Sequence, residues 1–312
     1  MAHEIGTGLR PVRLTCDDCV DPIGIDSRQP LFGWRLEGAG RERRQTAFRL
    51  LVSASEASAA AGIGDLWDSG PVASDLQFGI RYEGAPLACT TRYFWRAKVW
   101  DEAGQASEWS GIASFVTGFF GMEDWTARWF DATWDALLAR REFRIDGPES
   151  ISEAFLFVAA IGGYANSVQV RLNGHVLGDN VLFPGPTEFF RARYLGFDVT
   201  SRLVPGPNTL GLVLTRRTSA ILVVRSRDGS VTRLETDDSW QTLPKGPFVE
   251  LPGLGTFMAG RYETFDARGN PSGWDLPGFA ADAWKPHEWK GWWTAPIRLA
   301  YARCGVRIAR TF

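Results

Sequence analysis

The sequence predicts an all-β protein that is built from two sandwich domains. The chain has 312 residues, which is too long for one ordinary hydrophobic core and suits two domains. Short apolar segments recur along it and are separated by Gly, Pro, Asn and Asp turn signals. Its 14 tryptophans and 20 phenylalanines fit this fold class, because aromatic residues are enriched in strands. We place the first domain at residues 1–120, a Trp-rich connector at 121–136 and the second domain at 137–312.

The first domain carries strand patterns that alternate with turn signals. The apolar run Phe48–Val52 precedes a predicted short helix through Glu56–Ala61. Tyr93–Trp100 alternates large apolar with polar residues, as a half-buried strand does, and Asp101–Gly104 then turns the chain. The segment Ser107–Ser110 is typical of the approach to the last strand of a fibronectin domain. We therefore predict a fibronectin type III-like sandwich.

The connector carries three tryptophans among acidic and small residues. These are Trp125, Trp129 and Trp134. Aromatic residues are enriched at interfaces, so we expect these side chains to pack the two domains together.

The second domain also reads as a series of strands. Asn173-Gly174 predicts a tight hairpin after the strand Val168–Leu172, because both residues tolerate a positive φ. Ile221–Val224 is predicted to pair with Val231–Leu234 across a short turn. Asp237–Trp240 is interpreted as a turn before a strand. The pattern as a whole predicts a jelly-roll β-sandwich.

Charge and composition exclude several classes of function. Lys and Arg number 34 against 36 Asp and Glu, so no basic surface for a nucleic acid is expected. The mixed clusters Arg41–Arg44 and Arg140–Glu142 are interpreted as solvated strand edges. No apolar stretch of about 18 residues predicts a membrane span, and the N-terminal residues carry no secretory signal pattern. A cytoplasmic location is the expectation.

The four cysteines do not predict a disulfide scaffold in a chain of this length. Cys16 and Cys19 have the spacing of a redox or half-zinc pair. No second CxxC or His pair completes a tetrahedral zinc site, so we interpret both as strand-end thiols.

Three segments of the second domain carry a family pattern: Gly178–Gly185, Gly260–Arg268 and Gly278–Trp284. Together with Pro22–Asp26 and Asp65–Gly70, they resemble the N-terminal, sugar-binding part of bacterial α-L-rhamnosidases. The resemblance implies that the second domain is similar to a rhamnose-binding carbohydrate module. It also implies that the helical catalytic barrel of the family is missing, so glycosidase activity is not expected.

The resemblance places a binding site at Asp179 and Asn180. In the family, an acidic–amide pair at this position binds calcium and sugar hydroxyls, and these two residues match it. Calcium takes six to eight oxygen ligands from carboxylate, amide and carbonyl groups, so the chemistry is consistent. Calcium is expected as an optional cofactor. The alternative is an Asx-turn in which one of the two side chains caps its own backbone.

Further ligand contacts are expected from five residues outside this pair. They are Glu188, Arg216, Glu263, Asp266 and Trp292. Arg216 and Arg217 would favour a ligand with a carboxylate, or they are strand-edge charges. Asp266 and Arg268 could equally form a structural pair. Pro186 stands where the family has an aromatic residue that could stack on a sugar.

Two functions of different kinds follow from these residues. The first is a protein that binds L-rhamnose or a related glycoside without glycosidase activity. The alternative is a stand-alone cyclase, isomerase or lyase that uses a Trp-lined cleft, with Glu188, Asp266 or Arg216 as acid–base groups or anion anchors. A third hypothesis is a remnant that scaffolds a partner. The expected partner is a small molecule or sugar, not a nucleic acid or membrane, and a homodimer is left open.

Overall fold

The computed structural model describes residues 8–39, 43–130, 137–145, 147, 151–161, 168–179, 191–214, 217–243, 246–256, 260–287 and 298–301. Nearly all regular structure in these residues is β-strand, which confirms the predicted fold class. The chain divides into two compact units, residues 1–120 and 121–312. Within the described ranges, no helix is long and apolar enough to cross a membrane.

The first unit is a sandwich of two sheets. One sheet has the strand order β1-β3-β7, and the other has the order β2-β9-β8-β4-β5 with β6 paired to β4. Phe32 and Trp95 meet between the sheets, with ring centroids 4.6 Å apart. The elements are β1 (Arg10–Cys16), β2 (Ile23–Ile25), β3 (Leu31–Glu37), β4 (Gln45–Ser53), α1 (Glu56–Ala60), β5 (Trp67–Asp68), β6 (Val72–Ala73), β7 (Ile80–Arg81), β8 (Arg92–Asp101) and β9 (Ala113–Thr117).

The second unit is a jelly-roll sandwich with a separate hairpin. Its sheets have the orders β13-β12-β15-β10-β18-β21 and β17-β16-β11-β14-β22, and β19 pairs with β20. Leu156, Leu212 and Leu222 belong to the core between the two large sheets. The strands are β10 (Leu137–Ile145), β11 (Ile151–Ile161), β12 (Val168–Leu172), β13 (His175–Val176), β14 (Arg191–Asp198), β15 (Gly206–Leu214), β16 (Arg217–Ser226), β17 (Val231–Glu235), β18 (Gln241–Leu243), β19 (Phe248–Thr256), β20 (Gly260–Phe265), β21 (Lys285–Pro286) and β22 (Arg298–Tyr301).

Local patterns in the sequence predict several of these elements correctly. The β8 strand alternates buried with half-buried residues along its whole length. The predicted helix is α1, which Ser55 caps by accepting a hydrogen bond from the Ser58 amide. Asn173 and Gly174 have φ values of 50° and 81° and join β12 to β13 as a hairpin. Strands β16 and β17 pair across the predicted turn.

The prediction of a solvated edge at Arg140 is wrong. Arg140 is only 3% exposed. Its guanidinium donates to the carbonyl oxygens of Trp274 at 2.9 Å and Leu276 at 3.4 Å and to the Glu142 carboxylate at 3.2 Å, and these contacts together satisfy the buried charge. Trp125 lies in the second unit, where it is buried and donates from Nε1 to the Ser219 hydroxyl at 2.9 Å.

Candidate functional site

The β12–β13 hairpin positions the first predicted site residue, Asp179. Asn173 anchors the turn of this hairpin, because its side-chain oxygen accepts a hydrogen bond from the Thr209 amide at 2.8 Å. After β13, the amide of Leu177 donates to the carbonyl of Val170 at 2.8 Å. Asp179 follows two residues later and is exposed. The hairpin therefore fixes the backbone up to two residues before Asp179, the first predicted ligand-binding residue.

The Asp179 carboxylate accepts no hydrogen bond from any residue that the structure describes. It can therefore accept from a ligand hydroxyl or coordinate a cation. Asn180, its predicted partner, lies outside the described residues. Within the described part of the chain, no group of three His, Cys, Asp or Glu side chains could hold a metal ion. Most of the six to eight oxygens of a calcium shell would have to come from elsewhere, and calcium stays a prediction.

Asp266 is engaged in a local structural pair. It caps the short 3-10 helix Ala267–Gly269 by accepting from the Arg268 amide at 3.0 Å. The Arg268 guanidinium also donates to its two carboxylate oxygens, at 2.9 and 2.7 Å. These hydrogen bonds lower the pKa of Asp266, so the carboxylate is ionised at neutral pH. This geometry matches the structural alternative for this residue.

Of the remaining predicted residues, the structure describes Glu263. Glu263 lies in β20 opposite Glu250 of β19, on the two-stranded sheet rather than on the sheet that carries Asp179. Arg217 opens β16 and pairs with Ile161. Three candidates lie outside the described residues: Glu188, Arg216 and Trp292.

Sequence reasoning missed a tryptophan cover on the outer face of the second unit. Trp274 and Trp284 stack with ring centroids 5.8 Å apart, and they form one buried cluster with Leu138 of β10 and Leu243 of β18. A Cβ atom on Gly211 would lie 2.9 Å from the Trp274 ring, so a glycine is needed beneath it. Arg171 binds the Asp275 carboxylate at 2.5 Å. This part of the six-stranded sheet is therefore closed to a ligand.

The two units make this a modular β-sandwich protein. Comparisons with known families assign each unit more closely. Residues 11–121 match the Rha78A-like, N-terminal immunoglobulin domain, and residues 149–218 match the alpha-L-rhamnosidase N-terminal domain. Immunoglobulin and fibronectin type III domains share the sandwich architecture, so the first match agrees with the predicted fold. The chain corresponds to the N-terminal part of bacterial α-L-rhamnosidases, a part that does not carry catalysis.

Individual relatives agree with this assignment. An α-L-rhamnosidase of Formosa agariphila is 26% identical over 314 residues, which cover 85% of this chain and 32% of the relative. One from Streptomyces avermitilis is 32% identical over 259 residues, which cover 72% of this chain and 24% of the relative. The chain thus spans about a third or less of the length of these curated relatives.

Solved structures give the same fold. The α-L-rhamnosidase from Dictyoglumus thermophilum superposes with a TM-score of 0.83 at 28% identity, covering 94% of this chain and 35% of that one. The Streptomyces avermitilis enzyme complexed with L-rhamnose has a TM-score of 0.79 at 20% identity, covering 93% of this chain and 45% of that one. The second likeness concerns the fold alone.

Proposed function

We propose that the chain binds a carbohydrate, L-rhamnose or a related glycoside, through its second unit, and that it does not hydrolyse it. The observation that carries the proposal is the match of residues 149–218 to the N-terminal domain of α-L-rhamnosidases. The β10–β22 jelly roll supports it, because sheets of this kind present binding loops along their edges.

The chemistry at Asp179 supports the same proposal. Its carboxylate is exposed and has no internal donor among the described residues, so it is available to sugar hydroxyls. Asn180 would supply an amide oxygen beside it. If calcium takes part, these two groups and two vicinal hydroxyls of the sugar would contribute to one oxygen shell.

The comparisons do not favour the alternative of a stand-alone cyclase, isomerase or lyase. Of the three residues assigned to that chemistry, the structure describes Asp266. Its ion pair with Arg268 lowers the pKa of the carboxyl, whereas a proton donor at neutral pH needs a raised pKa.

Calorimetric titration of the full chain with L-rhamnose tests the proposal. We expect saturable heat in calcium buffer and about tenfold weaker binding in the Asp179→Asn variant, because one ligand-contacting carboxylate is lost. Heat that disappears with EGTA would assign calcium to the site, and heat that persists would assign binding without it. Asp228→Asn is the matched control, since Asp228 is an exposed carboxylate in the β16–β17 hairpin of the same unit.

Two results would contradict the proposal. The first is the absence of saturable heat with L-rhamnose or its glycosides in both buffers. The second is an Asp179→Asn variant that binds as tightly as the unmodified chain, which would remove Asp179 from the site.

A further inference from the structure

The first unit carries a groove beside its three-stranded sheet. The groove has a volume of about 630 Å³, within the size range of small-molecule sites. Thr15, Gly33 and Trp34 line its inner part. The rim combines charged and apolar groups: Arg13, Asp18, Arg35, Asp75, Leu76, Gln77 and Phe78. None of these residues takes part in the proposed sugar site of the second unit.

A buried glutamine holds one wall of the groove in place. Gln45 is 1% exposed and accepts a hydrogen bond from Trp34 Nε1 at 3.0 Å. Its amide group donates to the carbonyl oxygens of Ser74 at 3.1 Å and Leu76 at 2.8 Å. All three hydrogen bonds are buried or part-buried, so the wall from residue 74 to residue 78 is fixed rather than free to collapse.

The same wall blocks the edge of β3. The Trp34 amide donates to the Gln77 carbonyl at 2.8 Å. A Cβ atom on Gly33 would lie 3.3 Å from that carbonyl oxygen and 3.4 Å from the Phe78 Cα, so the wall is in direct contact with the strand. At Trp34 an extended peptide cannot add to this edge as a further strand, because the strand amide is already hydrogen-bonded to the wall. A ligand in the groove must be recognised by side chains.

The side chains of the wall provide an exposed apolar platform. Phe78 is 73% exposed and Leu76 is 54% exposed. Exposed apolar groups next to a groove mark ligand-binding surfaces, and an aromatic ring suits the apolar face of a pyranose.

The four charged groups of the rim are available to a ligand. Arg13, Asp18, Arg35 and Asp75 are all exposed, and none makes an ion pair or side-chain hydrogen bond with a residue that the structure describes. Arg13 lies in a β-bulge between Val12 and Thr15, a feature that redirects a side chain from the regular strand. Guanidinium groups match carboxylates in a bidentate manner, and carboxylates accept from hydroxyl groups.

We propose that this groove binds an acidic oligosaccharide. A sugar ring packs on Phe78, its carboxylate meets the guanidinium groups of Arg13 and Arg35, and its hydroxyls donate to Asp18 and Asp75. The two aspartates and the chain's net charge of -2 disfavour a nucleic acid, which needs an uninterrupted basic surface.

Titration of the full chain with trigalacturonic acid tests the proposal, with neutral galactotriose as the comparison ligand. We expect saturable binding of the acidic trisaccharide that weakens as salt is added, because the contact is partly ionic. Arg35→Ala and Phe78→Ala should each weaken it by about tenfold through loss of a bidentate contact or of the stacking surface. The controls are Arg81→Ala and Ile63→Ala, which alter exposed residues of the same unit outside the groove and should bind normally.

Three results would overturn the proposal: no saturable binding of the acidic trisaccharide, equal binding of the neutral one, or undiminished binding by Arg35→Ala. Both substituted side chains are exposed, so the variants should stay folded, and circular dichroism checks this. If Arg35→Ala does not fold, Arg35→Lys replaces it as the test. Lysine keeps the positive charge but cannot make the bidentate hydrogen bond of a guanidinium, so this variant should still bind the acidic trisaccharide more weakly than the unmodified chain. Asp179→Asn should leave acidic binding unchanged, so this proposal and the rhamnose proposal fail separately.

Discussion

Tyr82 shows at the scale of one residue how tightly the first unit is packed. It is 2% exposed, and its hydroxyl donates to the Ala85 carbonyl at 2.6 Å. Its ring meets the edges of Trp67 at 5.5 Å and Phe32 at 6.5 Å between centroids. This burial raises the pKa of Tyr82 to about 12, because the ionised phenolate would be poorly solvated.

The raised pKa of Tyr82 predicts a loss of stability at alkaline pH. In the unfolded chain a tyrosine ionises near pH ~10. The folded-state pKa is higher, so the neutral hydroxyl stabilises the fold fully below about pH 10 and less as the pH rises towards 12. Urea unfolding between pH 8 and 11 should show a steeper decline for the unmodified chain than for Tyr82→Phe. Parallel declines would contradict the prediction.

Residue-scale features divide into those that sequence can predict and those that it cannot. The hairpin turn at Asn173 and Gly174 is predictable, because the needed positive φ is a local property of these two residues. The burial of Arg140 is not, since its main acceptor, the Trp274 carbonyl, lies 134 positions away. The role of Gln45 is equally unpredictable, because nothing near it in sequence indicates that it fixes the groove wall.

At the scale of elements, the segment Ser107–Ser110 completes the edge of β8. Strand β9 pairs with only the first part of β8, from Arg92 to Trp95. Beyond that point, the Ser107 hydroxyl accepts from the Val99 amide at 3.1 Å, and the Ser110 hydroxyl accepts from the Ala97 amide at 3.0 Å. Two side chains therefore satisfy strand amides that would otherwise lack a partner.

Trp109 lies between these serines, and three basic side chains of the same unit lie near its ring. Arg49, Arg96 and Lys98 lie 5.8, 5.8 and 5.0 Å from its ring centroid. Cations at these distances are attracted by the ring face and stabilise the sheet surface. Trp109 is thus a structural aromatic residue, in contrast to the exposed Phe78.

Substitution of Ser110 by alanine should destabilise the first unit. The Ala97 amide is buried, and without the hydroxyl it loses an acceptor. We expect the free energy of unfolding to fall by about 1–3 kcal/mol, as for other unsatisfied buried donors. Urea unfolding measures this, with Ser27→Ala as the control, because its hydroxyl accepts from the exposed Gln29 amide that water can satisfy. Equal losses in both variants would contradict the prediction.

Element-scale prediction from sequence succeeds for strands and hairpins and fails for the order of strands in a sheet. The β16–β17 pair is predictable, because a short turn joins its strands. The neighbours β10 and β18 are far apart in sequence, and their pairing depends on packing that no local pattern encodes. For the same reason the sequence does not predict the Trp274–Trp284 cover, in which these two side chains pack on their own unit.

At the scale of the whole molecule, each compact unit has its own hydrophobic core. The first is centred on Phe32, Trp95 and Phe115, and the second on the facing sheets that contain Leu156 and Leu212. Separate cores imply separate cooperative transitions. The site at Asp179 and the groove at Phe78 accordingly belong to different cooperative units.

Calorimetry of the full chain should therefore resolve two transitions that respond to different substitutions. Ser110→Ala should lower the midpoint temperature of the first unit's transition by several degrees and leave that of the second unit unchanged. Arg140→Met should lower the midpoint temperature of the second unit's transition by about 5 °C, because the carbonyl oxygens of Trp274 and Leu276 lose a charged donor. A single transition that both variants shift would mean that the two cores unfold together. Ligand binding in one unit would then stabilise the other, and the two binding proposals would have to be tested as coupled sites.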